Sequence, residues 1–251
     1  MNSLSNVAVE SASSQSKALD YAAVELLEKL ALMSLARGCP VKAYTQKALS
    51  TLATLPLDKK ENLIKKLETT IKIVVAGTEI EKNNPPSGYA ERSFVEQALE
   101  IYGYELKDEE FWNTVRKDEL VEIYNTDNIQ IFRTFNFFTT SSYSILDLLI
   151  NEWYSLWERP NGTLDNMFKV VGALFSGETK GIVSAGVREH VISEIFNAED
   201  QEHFASRASL CKFGVICPIY SKLDGQIAGL LVTARVTPVA VGEQAKSISF
   251  I

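Results

Sequence analysis

The chain has 251 residues, 46% of them apolar and 23% charged, with a formal net charge of −7. That length can bury a substantial core in one large or two small domains. The negative balance argues against nucleic acid and against an anionic membrane surface as principal partners. Three cysteines, Cys39, Cys211 and Cys217, are too few and too odd a number for a disulfide framework. MNSLSNVAVESASSQSK has no basic region followed by an apolar run, so it does not read as a signal peptide. No window approaches the length of an apolar membrane span. The expectation is a cytoplasmic protein with reduced thiols.

Residues 1–16 are Ser- and Asn-rich and read as a flexible tail. From Lys17 onward, Leu19, Ala22, Ala23, Leu26, Leu27, Leu30 and Met33 recur at helical spacing. Gly38, with Pro40 after it, ends that helix. A second helix is expected from about Val41 to Leu55. A third opens at Asp58, with Glu61 completing a capping box, and carries Leu63, Ile64, Leu67, Ile71 and Val74. Together these form a three-helix unit over 17–82. Lys59-Lys60 and Lys65-Lys66 read as a solvated face of the third helix. The polar, proline-containing stretch around 83–89 is a linker, and a second domain is expected over 90–251.

In that domain, short helices near Ser93–Tyr102 and after Asp108 precede a change to period 2. Leu120–Tyr124 and Ile129–Phe138 alternate around Asn125-Thr126-Asp127-Asn128, predicting an aromatic-rich hairpin. Helices are expected over about Tyr143–Glu158, capped through Ser144 and Asp147, over Thr163 to about Phe175, and over Val187–Phe196. Two long strands follow, about Ser209–Tyr220 and Gln226–Thr237, joined by a turn containing Asp224-Gly225. By parity Cys211 and Cys217 share one face of the first of these strands. Ile248 and Phe250 alternate as in one more strand. The fold class is α+β: an N-terminal helical bundle, then an antiparallel sheet covered by helices.

LVEIYNTDNIQIFRTF and ICPIYSKLDGQIAGLLVTARV, with helices between them, resemble the first and closing hairpins of PAS and GAF sensory domains. The closing one carries a P-I-x…D-G-x-I-x-G-L pattern. The resemblance covers about residues 90–240. It implies a sheet that holds a small molecule against the intervening helices, or that mediates dimerisation. No bilin, flavin or cyclic-nucleotide motif accompanies it, so no cofactor is assigned. No output segment follows, so action would be in trans, through a partner.

No motif names a reaction. Phosphate-loop and G-x-S-x-G patterns are absent. Cys211 and Cys217 lie about 20 Å apart along an extended strand, too far to share one zinc ion. His190, on its expected helix beside Arg188 and Glu189, and His203, in a polar loop, read as surface residues. The adjacent acids Glu109-Glu110, Asp118-Glu119 and Glu199-Asp200 point apart and read as solvated.

The candidate site is the aromatic set Phe135, Phe137, Tyr143, Trp153 and Trp157, with the tryptophans at i and i+4 of the expected helix. These residues are either core or the wall of a ligand pocket closed by Cys217, with Arg133 or Arg235 as polar anchor. A cavity above about 300 Å³ there would mark a ligand site. The stripe Leu26, Leu30 and Met33 is the candidate interface for a protein partner or a second copy. The expected function is a non-enzymatic regulatory or signalling protein that binds a partner, and with it a small ligand, and forms a homo-oligomer. The alternatives are an enzyme with a pocket under the closing hairpin, and a scaffold whose core is filled.

Overall fold

A computed structural model describes residues 3–84, 88–195 and 208–239. It is an α+β structure: three N-terminal helices lie against an antiparallel sheet whose other elements are short helices. Helix α1, Ser3–Ala36, extends through most of the expected tail. No Gly or Pro interrupts residues 3–36, so a helix nucleated by its buried stripe can propagate backwards. It ends at Gly38, which adopts φ +77°.

Helix α2, Gln46–Thr54, starts later than expected. Thr45 caps it by accepting the Ala48 N–H at 3.1 Å. The residues just before it are engaged elsewhere: the carbonyls of Lys42 and Ala43 accept the N–H groups of Ile145 and Leu146. Helix α3, Leu57–Asn83, has Pro56 at its N-cap position and no side-chain cap. Asp58 therefore sits inside the first turn and not in the expected capping box. Helix α4, Arg92–Tyr102, closes on Gly103.

The expected linker does not separate two cores. One buried cluster contains Leu27 of α1, Leu67 of α3, Phe94 of α4, Phe135, and Ile123 and Leu231 of the sheet. Arg37 joins the layers: it pairs with Glu81 at 2.8 Å and stacks on the Phe94 ring at 4.0 Å. Leu30 is buried here and Leu26 and Met33 pack against the same cluster. The expected partner stripe is thus spent on the protein's own core, against its neighbouring helices. The lysine pairs are split as well. Lys59 and Lys65 are exposed, but Lys60 is fully buried on the stripe of Leu63 and Leu67, paired with Asp20 at 2.6 Å, while Lys66 is half-buried.

The sheet contains β1 (Tyr104–Glu105), β2 (Leu120–Asn125), β3 (Gln130–Arg133), β4 (Trp157–Glu158), β5 (Val183–Ser184), β6 (His190–Glu194), β7 (Ala208–Ser221) and β8 (Ile227–Pro238). Its main order is β3-β2-β8-β7-β6-β4, with β1 and β5 each pairing β7. The first hairpin is β2–β3, and the closing hairpin β7–β8 docks beside it through β2 and β8. The short helix α5, Phe111–Thr114, lies between β1 and β2.

Two expected elements end differently. Strand β3 stops at Arg133, and Phe135–Thr139 forms a 3-10 turn that carries Phe135, Phe137 and Phe138 into the core. Its start is pinned by Glu91, which accepts the N–H groups of Phe135 at 2.5 Å and Asn136 at 3.1 Å. Helix α6 spans only Ile145–Ile150, although the expected Ser144/Asp147 capping box is present. A 3-10 turn at Trp153–Ser155 and strand β4 replace its second half, because pairing of Trp157 and Glu158 with β6 satisfies their backbone in the sheet. The tryptophans are therefore not helical i, i+4 neighbours.

Helix α7, Thr163–Phe175, follows Gly162, which holds the N-cap position at φ +78°. The expected Val187–Phe196 helix is strand β6, in which β-branched Val191 and Ile192 pair against β7. His203, Glu199, Asp200 and the expected C-terminal strand lie outside the described residues.

Candidate functional site

A register shift in β7 decides which residues meet. Phe213 faces Ala234 and Ile216 faces Val232, so β7 carries an extra residue between them. Gly214 sits in this bulge, where a Cβ would lie 2.2 Å from Thr233 Oγ1; the Thr233 hydroxyl accepts the Val215 N–H at 2.9 Å. The bulge inverts the parity beyond it. Cys211 pairs Val236 and shares the face of Ala234, whereas Cys217 pairs Leu231 and lies on the other. The cysteines expected on one face are thus on opposite faces. Arg235 shares the face of Leu231 and is engaged at its edge by Asp118 at 3.4 Å and Glu189 at 3.9 Å. Neither Cys217 nor Arg235 reaches the aromatic set.

The face of Ala234, Val232 and Leu230 also carries Leu120, Glu122 and Tyr124 of β2, and Arg133 opposite Glu122 on β3. Phe137, Trp153 and Trp157 cover this face with Arg159, Cys211 and Phe213. Tyr143 stands behind Trp157, edge to face at 5.5 Å, and its hydroxyl donates to the Leu156 carbonyl at 2.5 Å. The space left inside is about 30 Å³, enough for roughly two waters. That is far below a ligand cavity, so Phe137, Tyr143, Trp153 and Trp157 serve here as core.

A polar network lines this small cavity. The Tyr124 hydroxyl donates to Glu122 at 2.8 Å, and Gln130 Nε2 donates to both Glu122 and the Tyr124 oxygen at 2.8 Å. Burial holds the Tyr124 hydroxyl well above its usual range, and the Glu122 charge adds to that. Although Glu122 and Arg133 are cross-strand partners, no ion pair forms between them; the guanidinium lies 4.2 Å over the Phe137 ring. Burial pulls the Arg133 pKa down, opposed by the fields of Glu122 and Tyr124. Arg159 donates to the carbonyl of Trp157 at 3.1 Å, and its Nε is buried with no partner.

Cys211 faces His190 across β6 and β7. This juxtaposition was hidden by the helix expected at His190. Burial pushes the Cys211 thiol up to about 12, despite the opposing charge of Arg159, so at neutral pH it is a protonated thiol and not a nucleophile. Burial also lowers the His190 pKa.

Arg133 lies on the edge strand and is reached from two sides. Outward, it lines a cleft between the sheet and the helical layer, together with Leu30 of α1, Lys66 and Thr70 of α3, Phe135, and Ile145, Leu148 and Leu149 of α6. The cleft opens to solvent and leaves about 50 Å³ free. Lys66 faces it without an ion pair among the described residues. Burial, reinforced by the charge of Arg133 and opposed by Glu152, lowers the Lys66 ammonium to about 8. Reading Lys66 as a solvated charge missed this position, though it falls three residues after buried Leu63.

A wider depression of about 390 Å³ lies over Pro40–Lys42 and Ser141–Tyr143. Of its polar groups, Ser142 is held by Glu194 and Tyr143 by Leu156 and Ile195, while the buried Ser141 hydroxyl has no partner. Among the described residues no cluster of His, Cys, Asp and Glu could hold a metal, and no helix is long and apolar enough to cross a membrane. No protein-family model matches the chain, and comparison with curated proteins finds no match.

Proposed function

We propose that this is a non-enzymatic regulatory module whose small ligand binds in the cleft between the helical layer and the edge of the sheet, and which signals in trans to a protein partner. The observation that carries this reading is the pairing of two cations, Lys66 and Arg133, with apolar walls drawn from α1, α3, α6 and the 3-10 turn after β3. A ligand there touches both layers, so binding alters how they pack. The PAS/GAF-like reading draws support from the first and closing hairpins joining through β2 and β8 into one sheet. A neutral thiol at Cys211 favours binding over nucleophilic chemistry. Three free cysteines fit a reducing, cytoplasmic setting.

The test is a thermal-shift screen of metabolites on the full chain. A ligand at 100 times its Kd should add about 2.7 kcal/mol. Hydrogen exchange should then show added protection in α3 and β3. A library that gives no shift, with no change in exchange at these segments, returns the protein to the scaffold reading.

A further inference from the structure

Among the described residues most other buried or half-buried cations have acids, Arg159, held by backbone carbonyls, being the exception. Lys60 pairs with Asp20 and Arg37 with Glu81. Lys66 and Arg133 do not, although they share one cleft and repel each other. Glu152 acts on Lys66 through its field without an ion pair, and Glu122, on the inner side of Arg133, is already held by Tyr124 and Gln130. Two like charges facing an apolar cleft are costly unless a counter-charge joins them.

Resting on the binding reading above, we propose that the cleft is a site for a small monocarboxylate, with its oxygens on Arg133 and Lys66 and its hydrocarbon part against Leu30, Ile145 and Leu149. The apolar walls favour a carboxylate over a phosphate. The other polar side chains are already engaged: the Thr70 hydroxyl donates to the Lys66 carbonyl at 2.8 Å, and the Gln130 amide is spent on Glu122 and Tyr124. Two cationic groups satisfy the two oxygens of a carboxylate, in the charge-assisted geometry that guanidinium favours. The further oxygens of phosphate would face leucine and isoleucine, with no partner. The free space of about 50 Å³ is likewise too small to enclose a whole ligand, but the cleft opens to solvent, so it need hold only the carboxylate end and the first carbons of the molecule, roughly four water-sized groups.

The experiment is titration of the full chain with propionate, its neutral isostere propionamide, propylamine and inorganic phosphate, each against matched sodium chloride, followed by calorimetry and thermal shift. Propionate alone should bind. Arg133→Met and Lys66→Met should each weaken it about tenfold or more, with Arg133→Lys retaining part of the affinity and serving as the folded control. Propionamide or phosphate binding as well as propionate overturns the carboxylate assignment while leaving a ligand site in the cleft. Propionate binding unchanged in both Met variants overturns it too, by placing the anion elsewhere. No binding by propionate, with a library hit that protects α3 and β3, removes this inference alone. Silence of propionate and library together removes the binding reading as well.

Discussion

Lys60 and Lys66 sit on one helix and meet opposite fates. Lys60 is fully enclosed but its ammonium is met by Asp20, Ser16 and the Ala53 carbonyl. Lys66 is less enclosed yet lacks an acid, and burial beside Arg133 brings it to about 8. Stability should follow. Below pH 8 the amine is protonated in both states, and the folded protein carries the cost of the buried charge. Between about pH 8 and 10.5 the folded amine is neutral while the unfolded chain still binds the proton, so this group makes stability rise with pH. Cys211, Cys217 and Tyr102, raised to about 12 by burial, act in the opposite sense from about pH 9 for the thiols and 10 for the phenol upward, partly overlapping this range. The quantity to measure is therefore the difference in urea-unfolding free energy between wild type and Lys66→Met as a function of pH. It should favour the variant by a constant amount below pH 8 and move toward wild type as pH climbs from about 8 to 10.5. A flat difference curve would place Lys66 in water.

At the scale of elements, α3 and α4 approach closely at Gly77. A Cβ there would lie 2.5 Å from the ring of Phe94, which is fully buried and stacked under Arg37. Gly77→Val should cost about 1–3 kcal/mol through overpacking, read as a lower denaturant midpoint at unchanged slope. A neutral result would mean that the helices separate readily. Elements whose stability is local were legible in the chain: the α1 stripe, the Ser144/Asp147 cap, and the closing turn, where Ser221 and Gln226 close the hairpin and Gly225 takes φ +69°. Residues 157–158 and 190–194 were misread because short apolar stretches fit both periods. Their choice of strand is set by pairing with each other and with β7, partners far away in sequence.

For the molecule as a whole, the proline-containing stretch after α3 invites a division into two domains that the packing does not support. Leu27, Leu67, Phe94, Phe135 and Ile123 belong to one buried cluster. Helical layer and sheet should accordingly unfold in one transition, with far-UV circular dichroism and tryptophan fluorescence coincident in urea. All three tryptophans lie after residue 110, so fluorescence reports the sheet layer, while the helical signal is dominated by α1 and α3. Separated midpoints would restore two independent units. Composition and proline content cannot reveal such sharing, since a core is recognised by which faces meet.

By itself the sequence determined the α+β class, the amphipathic faces and both hairpins, because helix stripes, strand alternation and turn residues are encoded within a few neighbouring positions. Tertiary structure alone decided that Cys211 and Cys217 oppose each other, that Arg235 faces away from the aromatic set, and that Lys66 and Arg133 share a cleft. The reason is physical. One bulge residue inverts every side chain beyond it, and whether a charge finds an acid depends on which distant strand or helix packs against it.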